Sequence, residues 1–259
     1  MKIFATYNIK GGVGKTATAV NLGYLAARDG YKVLLWDLDP QAAATFLFRI
    51  RPRVKGGGKA LIQGTRSLDD AIKATDFDNL DLLPADFTYR NLDLLLDAAR
   101  KPARKLGRLL APLRASYDVV FLDCPPSISL LSESVLHAAD TLLVPLIPTT
   151  LSVRTLDQLT DFIAAFDGHR PDVLAFFSMI DRRKSLHNEI AAALPKQRSD
   201  IAATAIGALS LIEQMSVRRA PVAAFAPRSS AARSYAALWA EARQIGGVPP
   251  VSSGRRGSR

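Results

Sequence analysis

The run Lys10-Gly11-Gly12-Val13-Gly14-Lys15-Thr16 constrains this chain more than any other stretch, because a strand pattern precedes it and a helix pattern follows. Ile3-Phe4-Ala5-Thr6-Tyr7 is apolar and strand-like, and Ala17 to Ala27 has helical spacing. Glycines at such a turn let backbone N–H groups curl around a phosphate, and the helix N-terminus adds positive potential. Lys15 would neutralise the terminal phosphates and the Thr16 hydroxyl can ligate Mg²⁺. The alternative is a glycine-rich turn with two surface lysines; the flanking strand and helix favour the phosphate cradle.

Two further segments end in carboxylates. Gly30 stops the first helix, and Tyr31-Lys32-Val33-Leu34-Leu35-Trp36 reads as a buried strand running into Asp37-Leu38-Asp39-Pro40-Gln41. Tyr117-Asp118-Val119-Val120-Phe121-Leu122 is a second apolar strand, ending at Asp123. Ligands of open parallel sheets gather at strand carboxyl ends, so Asp37 and Asp39 fall where Mg²⁺ and an attacking water would sit. Asp123 has the position of a residue that holds Mg²⁺ through water. For Asp37 and Asp39 the competing reading is a strand-end aspartate capping the next turn.

The position six before Lys15 is Ile9, not the glycine of the common phosphate-loop pattern, and Lys10 supplies a second lysine. This run resembles the deviant Walker A loop of the ParA/MinD family of ATPases. Asp37-Leu38-Asp39-Pro40-Gln41 matches that family's Asp-x-Asp-Pro-Gln signature. Cys124-Pro125-Pro126-Ser127 resembles its Asp-Thr-Pro-Pro-Ser switch, with Cys for Thr. The resemblance implies an α/β fold: a doubly wound, mostly parallel sheet flanked by helices, a P-loop NTPase of the deviant Walker A type. It implies ATP and Mg²⁺ as cofactors, with Lys10, Gly11, Gly12, Val13, Gly14, Lys15, Thr16 and Ala17 around the phosphates and Thr16, Asp37, Asp39 and Asp123 around the metal. Lys10 would cross an ATP-dependent homodimer to the partner's nucleotide, Asp39 would orient the hydrolytic water, and Asp37 would support the metal and switch region. Lys10, Lys15 and Asp39 are thus the expected catalytic residues. In relatives the end of the strand matching Val173 to Ile180 lies near adenine, which makes Asp181 and Arg182 base-site candidates.

A net charge of +10 over 259 residues exceeds what nucleotide binding needs and points to a polyanion. Nucleic acid and an anionic membrane are the candidates; a merely solvated basic surface is the alternative. Residues 49 to 66 carry six cations and no acid around three glycines and read as a mobile basic loop. Ser67 with Asp69 and Asp70 reads as the start of a short helix. Asn91 to Leu113 reads as helical with a break near Pro102, placing Arg100, Arg104 and Arg108 on one basic face. ParA-type proteins without an N-terminal helix-turn-helix bind DNA non-specifically through C-terminal basic residues. That resemblance puts Arg182, Arg183, Lys184, Arg218, Arg219, Arg228 and Arg233 forward as DNA contacts, the last of them on a helix from about Ser230 to Ile245.

One ATPase domain over residues 1–245 and a disordered basic tail over 246–259 are expected. The Gly-Pro-Ser-rich tail offers no amphipathic helix of the MinD type, so no membrane partner is expected. A strand starting almost at Met1 leaves no room for a signal peptide, and the single Cys124 fits a reducing compartment; a cytoplasmic, nucleoid-associated protein is expected. A lone cysteine also counts against the cluster-bearing nitrogenase iron protein. The partners implied are non-specific DNA and a ParB-like or cargo-adaptor protein that stimulates hydrolysis. The competing functions are a metabolic ATPase of the same fold and a MinD-like membrane-associated positioning ATPase.

Overall fold

In the computed structural model, which describes residues 1–166 and 169–251, a seven-stranded sheet separates two hydrophobic cores. Its strands are β1 (Lys2–Thr6), β2 (Val33–Asp37), β3 (Lys73–Ala74), β4 (Leu80–Leu83), β5 (Val119–Asp123), β6 (Thr141–Leu146) and β7 (Asp172–Phe177). Their order is β3-β4-β2-β5-β1-β6-β7, parallel throughout except for the short edge strand β3. Strands covered on both sides are continuously apolar, as Val33-Leu34-Leu35-Trp36 and Val119-Val120-Phe121-Leu122 show. Alternate residues feed opposite cores: Ile3 and Ala5 point to one, Phe4 to the other. The expected doubly wound, mostly parallel architecture is the one observed.

One face carries α1 (Lys15–Arg28), α2 (Ala43–Leu47), α9 (Ser210–Glu213), α10 (Met215–Arg218), α11 (Val222–Phe225) and α12 (Ser230–Ile245). The opposite face carries α3 (Gly57–Gln63), α4 (Leu92–Asp97), α5 (Lys105–Leu110), α6 (Leu130–Ala138), α7 (Thr150–Ala164) and α8 (Ser185–Gln197). Side-chain caps start two of these helices. Thr149 accepts from Ser152 N–H to start α7, and Ser229 accepts from Ala232 N–H to start α12.

Four expectations are corrected. Residues 49–66 are not a mobile loop: Val54, Leu61 and Ile62 are buried, and Val54 N–H donates to Asp86 at 2.8 Å. A Cβ on Gly58 would come within 2.9 Å of Leu92 and 3.1 Å of Tyr89, so the glycine lets α3 lie close against the next layer. Ser67 to Asp70 starts no helix; Leu68 and Ala71 are buried and hold a turn leading to β3. The 91–113 segment is α4, a bend, a 3-10 turn at Pro102–Arg104 and α5, so Arg100, Arg104 and Arg108 share no continuous helix face. Pro102, with Lys101 at φ +60°, breaks the run. Gly246 to Val251, expected to be disordered, packs against the amino edge of the sheet. There Val248 is buried and the Tyr31 hydroxyl donates to the Pro249 carbonyl at 2.7 Å. The remainder of the expected tail, 252–259, lies outside the described residues.

Candidate nucleotide site

The loop between β1 and α1 has the backbone that a phosphate cradle requires. Gly12 and Gly14 adopt φ of +71° and +97°, a region that favours glycine, and space is open around Gly11 and Gly12. Val13 is buried and anchors the loop. Asn8, also buried, donates to the Pro145 carbonyl at 2.8 Å and accepts from Lys10 N–H at 2.9 Å, tying the loop to β6. The Lys15 ammonium, 7% exposed, donates to the Lys10 carbonyl at 2.9 Å. Burial pulls the Lys15 pKa down, while Asp123, Cys124 and Asp39 act in the opposite sense.

Parallel register puts Thr6, Asp123 and Asp37 in one row at the strand carboxyl ends. Asp123 is fully buried; its Oδ1 accepts from Thr6 Oγ1 at 3.3 Å and its Oδ2 has no hydrogen-bond partner. Burial, then the neighbouring Asp37, pushes the Asp123 carboxyl well above the usual range, with the nearby Thr16 hydroxyl acting against the rise. Both oxygens of Asp37 are engaged. Oδ2 accepts from Thr45 N–H at 2.8 Å and Thr45 Oγ1 at 2.7 Å, and Oδ1 accepts from Asp39 N–H at 3.2 Å. Burial raises Asp37 to about 6 despite those bonds. Asp39 is half-buried, accepts from Gln41 N–H at 2.9 Å and faces the cleft. The Cys124 thiol is buried and its pKa is raised, by burial first and then by Asp123, the state of an inert packing residue.

A cleft of about 360 Å³ runs from the loop to residues no motif marks. Gly11, Gly12, Gly14, Lys15, Thr16, Ala17 and Asp39 line one end; Ser178, Met179, Gly207, Ala208, Leu209, Ile212 and Glu213 line the other, with Tyr235 of α12 reaching in. Asp181 and Arg182 are not among the lining residues. Instead Asp181 accepts from Arg183 Nε at 2.9 Å and Nη2 at 2.8 Å, which holds its carboxyl well below the usual range, and its N–H donates to His187 Nδ1. Residues 178–179 and 207–213 escaped sequence reasoning because most of them are small or apolar. Asn8 was missed as well, although a polar residue closing an apolar strand is a signal that marks it.

The seven arginine and lysine candidates divide into two groups. Arg182, Arg183 and Lys184 lead into α8, whereas Arg218, Arg219, Arg228 and Arg233 belong to α10–α12 on the other face of the sheet. Arg219 stacks 4.5 Å over the Phe46 ring and donates to the Phe46 carbonyl; Arg233 donates to the Arg228 carbonyl.

A glycine loop opening a helix beside β1, with one buried and one exposed lysine, and carboxylates closing β2 and β5, defines a P-loop nucleotide-binding protein with a second lysine in its loop. Residues 1–175 match the AAA domain family model. The chain is 31% identical over 240 residues to the sporulation initiation inhibitor protein Soj of Bacillus subtilis, covering 90% of this chain and 95% of Soj. It is 34% identical over 198 residues to the chromosome partitioning protein ParA of Caulobacter vibrioides, covering 74% of each. The chain belongs to the ParA/Soj group of the ParA/MinD family. Among solved structures it resembles a cobyrinic acid a,c-diamide synthase from Mycobacterium smegmatis with bound ADP and magnesium, at 26% identity and a TM-score of 0.78 over 97% of this chain and 99% of that one. A plasmid partition protein from Borrelia burgdorferi bound to AMPPNP shares the fold at a TM-score of 0.81 and 22% identity, over 94% of this chain and 99% of that one.

Proposed function

We propose that this protein is a Mg²⁺-dependent ATPase that dimerises on ATP, binds DNA non-specifically and positions a cargo. A ParB-like or adaptor protein would stimulate hydrolysis and so release the DNA. The cargo class is a plasmid or chromosome partition complex, or a protein assembly such as a carboxysome or chemoreceptor array. The observation carrying this reading is the fully buried Asp123, whose Oδ2 has no partner and which lies beside Thr16 and close to the buried Lys15. An unpartnered buried carboxylate oxygen is costly unless a cation or its water takes it up. Thr16 and Asp123 fit a magnesium ion on this ground, with Asp39 facing the same cleft and Asp37 supporting Asp123 from the neighbouring strand.

Magnesium would neutralise charge developing on the terminal phosphates. The loop N–H groups and Lys15 bind and orient those phosphates, Asp39 orients the attacking water, and Lys10, exposed beside the loop, is free to reach the nucleotide of a second subunit. Base contacts come from the 178–179 and 207–213 end of the cleft, and any part played by Asp181 and Arg182 would be reached from outside its lining. Arg182, Arg183, Lys184, Arg218, Arg219, Arg228 and Arg233 supply DNA phosphate contacts. This reading puts the protein in the cytoplasm on the nucleoid.

The likeness to a cobyrinic acid a,c-diamide synthase supports a second reading, an ATPase acting on an organic substrate. The MinD-like membrane reading finds less support: α12 buries Tyr235, Leu238 and Trp239, and no helix of the described residues is long and apolar enough to cross a membrane. The test is binding to random-sequence DNA with ATP, with ADP and without nucleotide across a salt series, using wild type and Lys10→Ala. ATP-dependent, salt-sensitive binding that Lys10→Ala abolishes supports the DNA-based reading. ATP turnover with no DNA binding in any state would turn it toward the metabolic one.

A further inference from the structure

The two acid-free basic stretches, 49–66 and 98–116, are more than thirty residues apart, yet the fold packs α3 against the segment from α4 to α5. Lys55 and Lys59 from the first stretch and Arg100, Lys101, Arg104 and Arg108 from the second thereby share the helical layer over one sheet face. Lys55, Lys59, Arg100, Lys101, Arg104 and Arg108 make no ion pair among the described residues, and all six are exposed. The acids bordering this layer include Asp97, Asp93, whose Oδ1 is taken by Leu131 N–H, Glu133 of α6, Asp86, which accepts from Val54 N–H, and Asp70, paired with Arg66. Arg182, Arg183 and Lys184, which lead into α8, lie on this same side of the sheet, whereas Arg218, Arg228 and Arg233 lie over the opposite face.

We infer that the α3–α5 layer is a second DNA-phosphate surface, back to back with the C-terminal arginines, so that one molecule bridges two duplex segments. Exposed cations outside any ion pair, spread over a layer of short helices, match a phosphate backbone, which is read by charge and needs no groove. A rigid duplex held on one sheet face cannot also contact the other, because the seven-stranded sheet and both cores lie between. The two sets therefore engage different segments. The inference rests on the DNA-binding reading above.

The experiment is capture of a labelled duplex by an immobilised one, together with salt titration of binding to a single duplex. It uses full-length wild type, Arg100/Arg104/Arg108→Gln and Arg218/Arg228/Arg233→Gln, each with and without ATP. Wild type should capture the second duplex. Each triple variant should still bind one duplex, with the slope of log K against log salt reduced by about 0.9 for each phosphate no longer neutralised, and its capture of a second should fall well below the wild-type level. Capture at the wild-type level by the Arg100/Arg104/Arg108 variant overturns the bridging surface while leaving the DNA-binding reading intact. Absence of any DNA binding by the wild type overturns both. Binding of poly-glutamate but not DNA through the α3–α5 layer overturns the inference in favour of an acidic protein partner.

Discussion

The two ends of the nucleotide cleft are built on opposite plans. At the phosphate end, a contiguous loop stands with the buried Lys15 and Asp123 and the half-buried Asp39, and these charged groups act on one another electrostatically. At the base end, Met179 is 43% exposed with φ +56°, and the chain entering α9 is joined only by an isolated bridge from Gly207 to Ile180, beyond the end of β7. Recognition of a phosphate needs fixed donors and charge, which tolerate little change. Holding a base needs chiefly a slot of the right width, which many side chains can line.

This contrast orders the effects of substitution. Asp39→Ala should lower kcat by about 10²–10⁴-fold with nucleotide still bound, the range for removal of a group that handles the attacking water; steady-state ATP turnover beside equilibrium binding measures it. Unchanged turnover would remove Asp39 from the phosphate end. Lys15→Ala should weaken ATP about 100-fold, roughly 3 kcal/mol by calorimetry, because the substitution takes away a desolvated, charge-assisted hydrogen bond to phosphate.

Protonation probes the same end without mutation. Asp37 sits at about 6 in the fold against an ordinary 3.8, so the folded state holds its proton more tightly than the unfolded one. Stability of the ligand-free protein gains from this group as pH falls from about 6 to about 4, and the gain is lost as pH rises through 6. It amounts to 2–3 kcal/mol at most, at about 1.4 kcal/mol per pKa unit. Thermal unfolding between pH 4.5 and 7.5 should show this component in wild type and not in Asp37→Asn.

Gly14 is where the two ends meet. A Cβ there would lie 2.9 Å from Ser178 Oγ, at a φ of +97°. Gly14→Ala should cost about 1–3 kcal/mol, and adding Ser178→Ala should recover the steric part but not the backbone part. Strict additivity in denaturant unfolding would mean that the ends do not press on each other. The smallest effect belongs to Glu213→Gln at the exposed base end: less than about threefold in nucleotide affinity, in keeping with a solvent-screened charge. A tenfold loss would make the base end as demanding as the phosphate end.

How much could be read in advance follows the same division. The loop, the strands ending at Asp37 and Asp123 and the C-terminal helix were legible, because each is encoded by neighbouring residues. Asp37 shows how two readings can share one residue. Its carboxylate does cap the following turn through Thr45, the alternative weighed beside a metal role, and it also stands in the row with Asp123. The 49–66 stretch misled because its charges are visible in sequence while the burial of Val54, Leu61 and Ile62 is not.

By itself, then, the sequence determined the phosphate cradle and the alternating strand–helix order, since backbone N–H groups, a helix start and an adjacent lysine act over a few consecutive residues. The tertiary structure alone decided which carboxylates share a row, which apolar residues close the base end, and on which face of the sheet each basic stretch lies. Those outcomes depend on strand order and crossover connections, which join residues more than a hundred positions apart and leave no local mark in the chain.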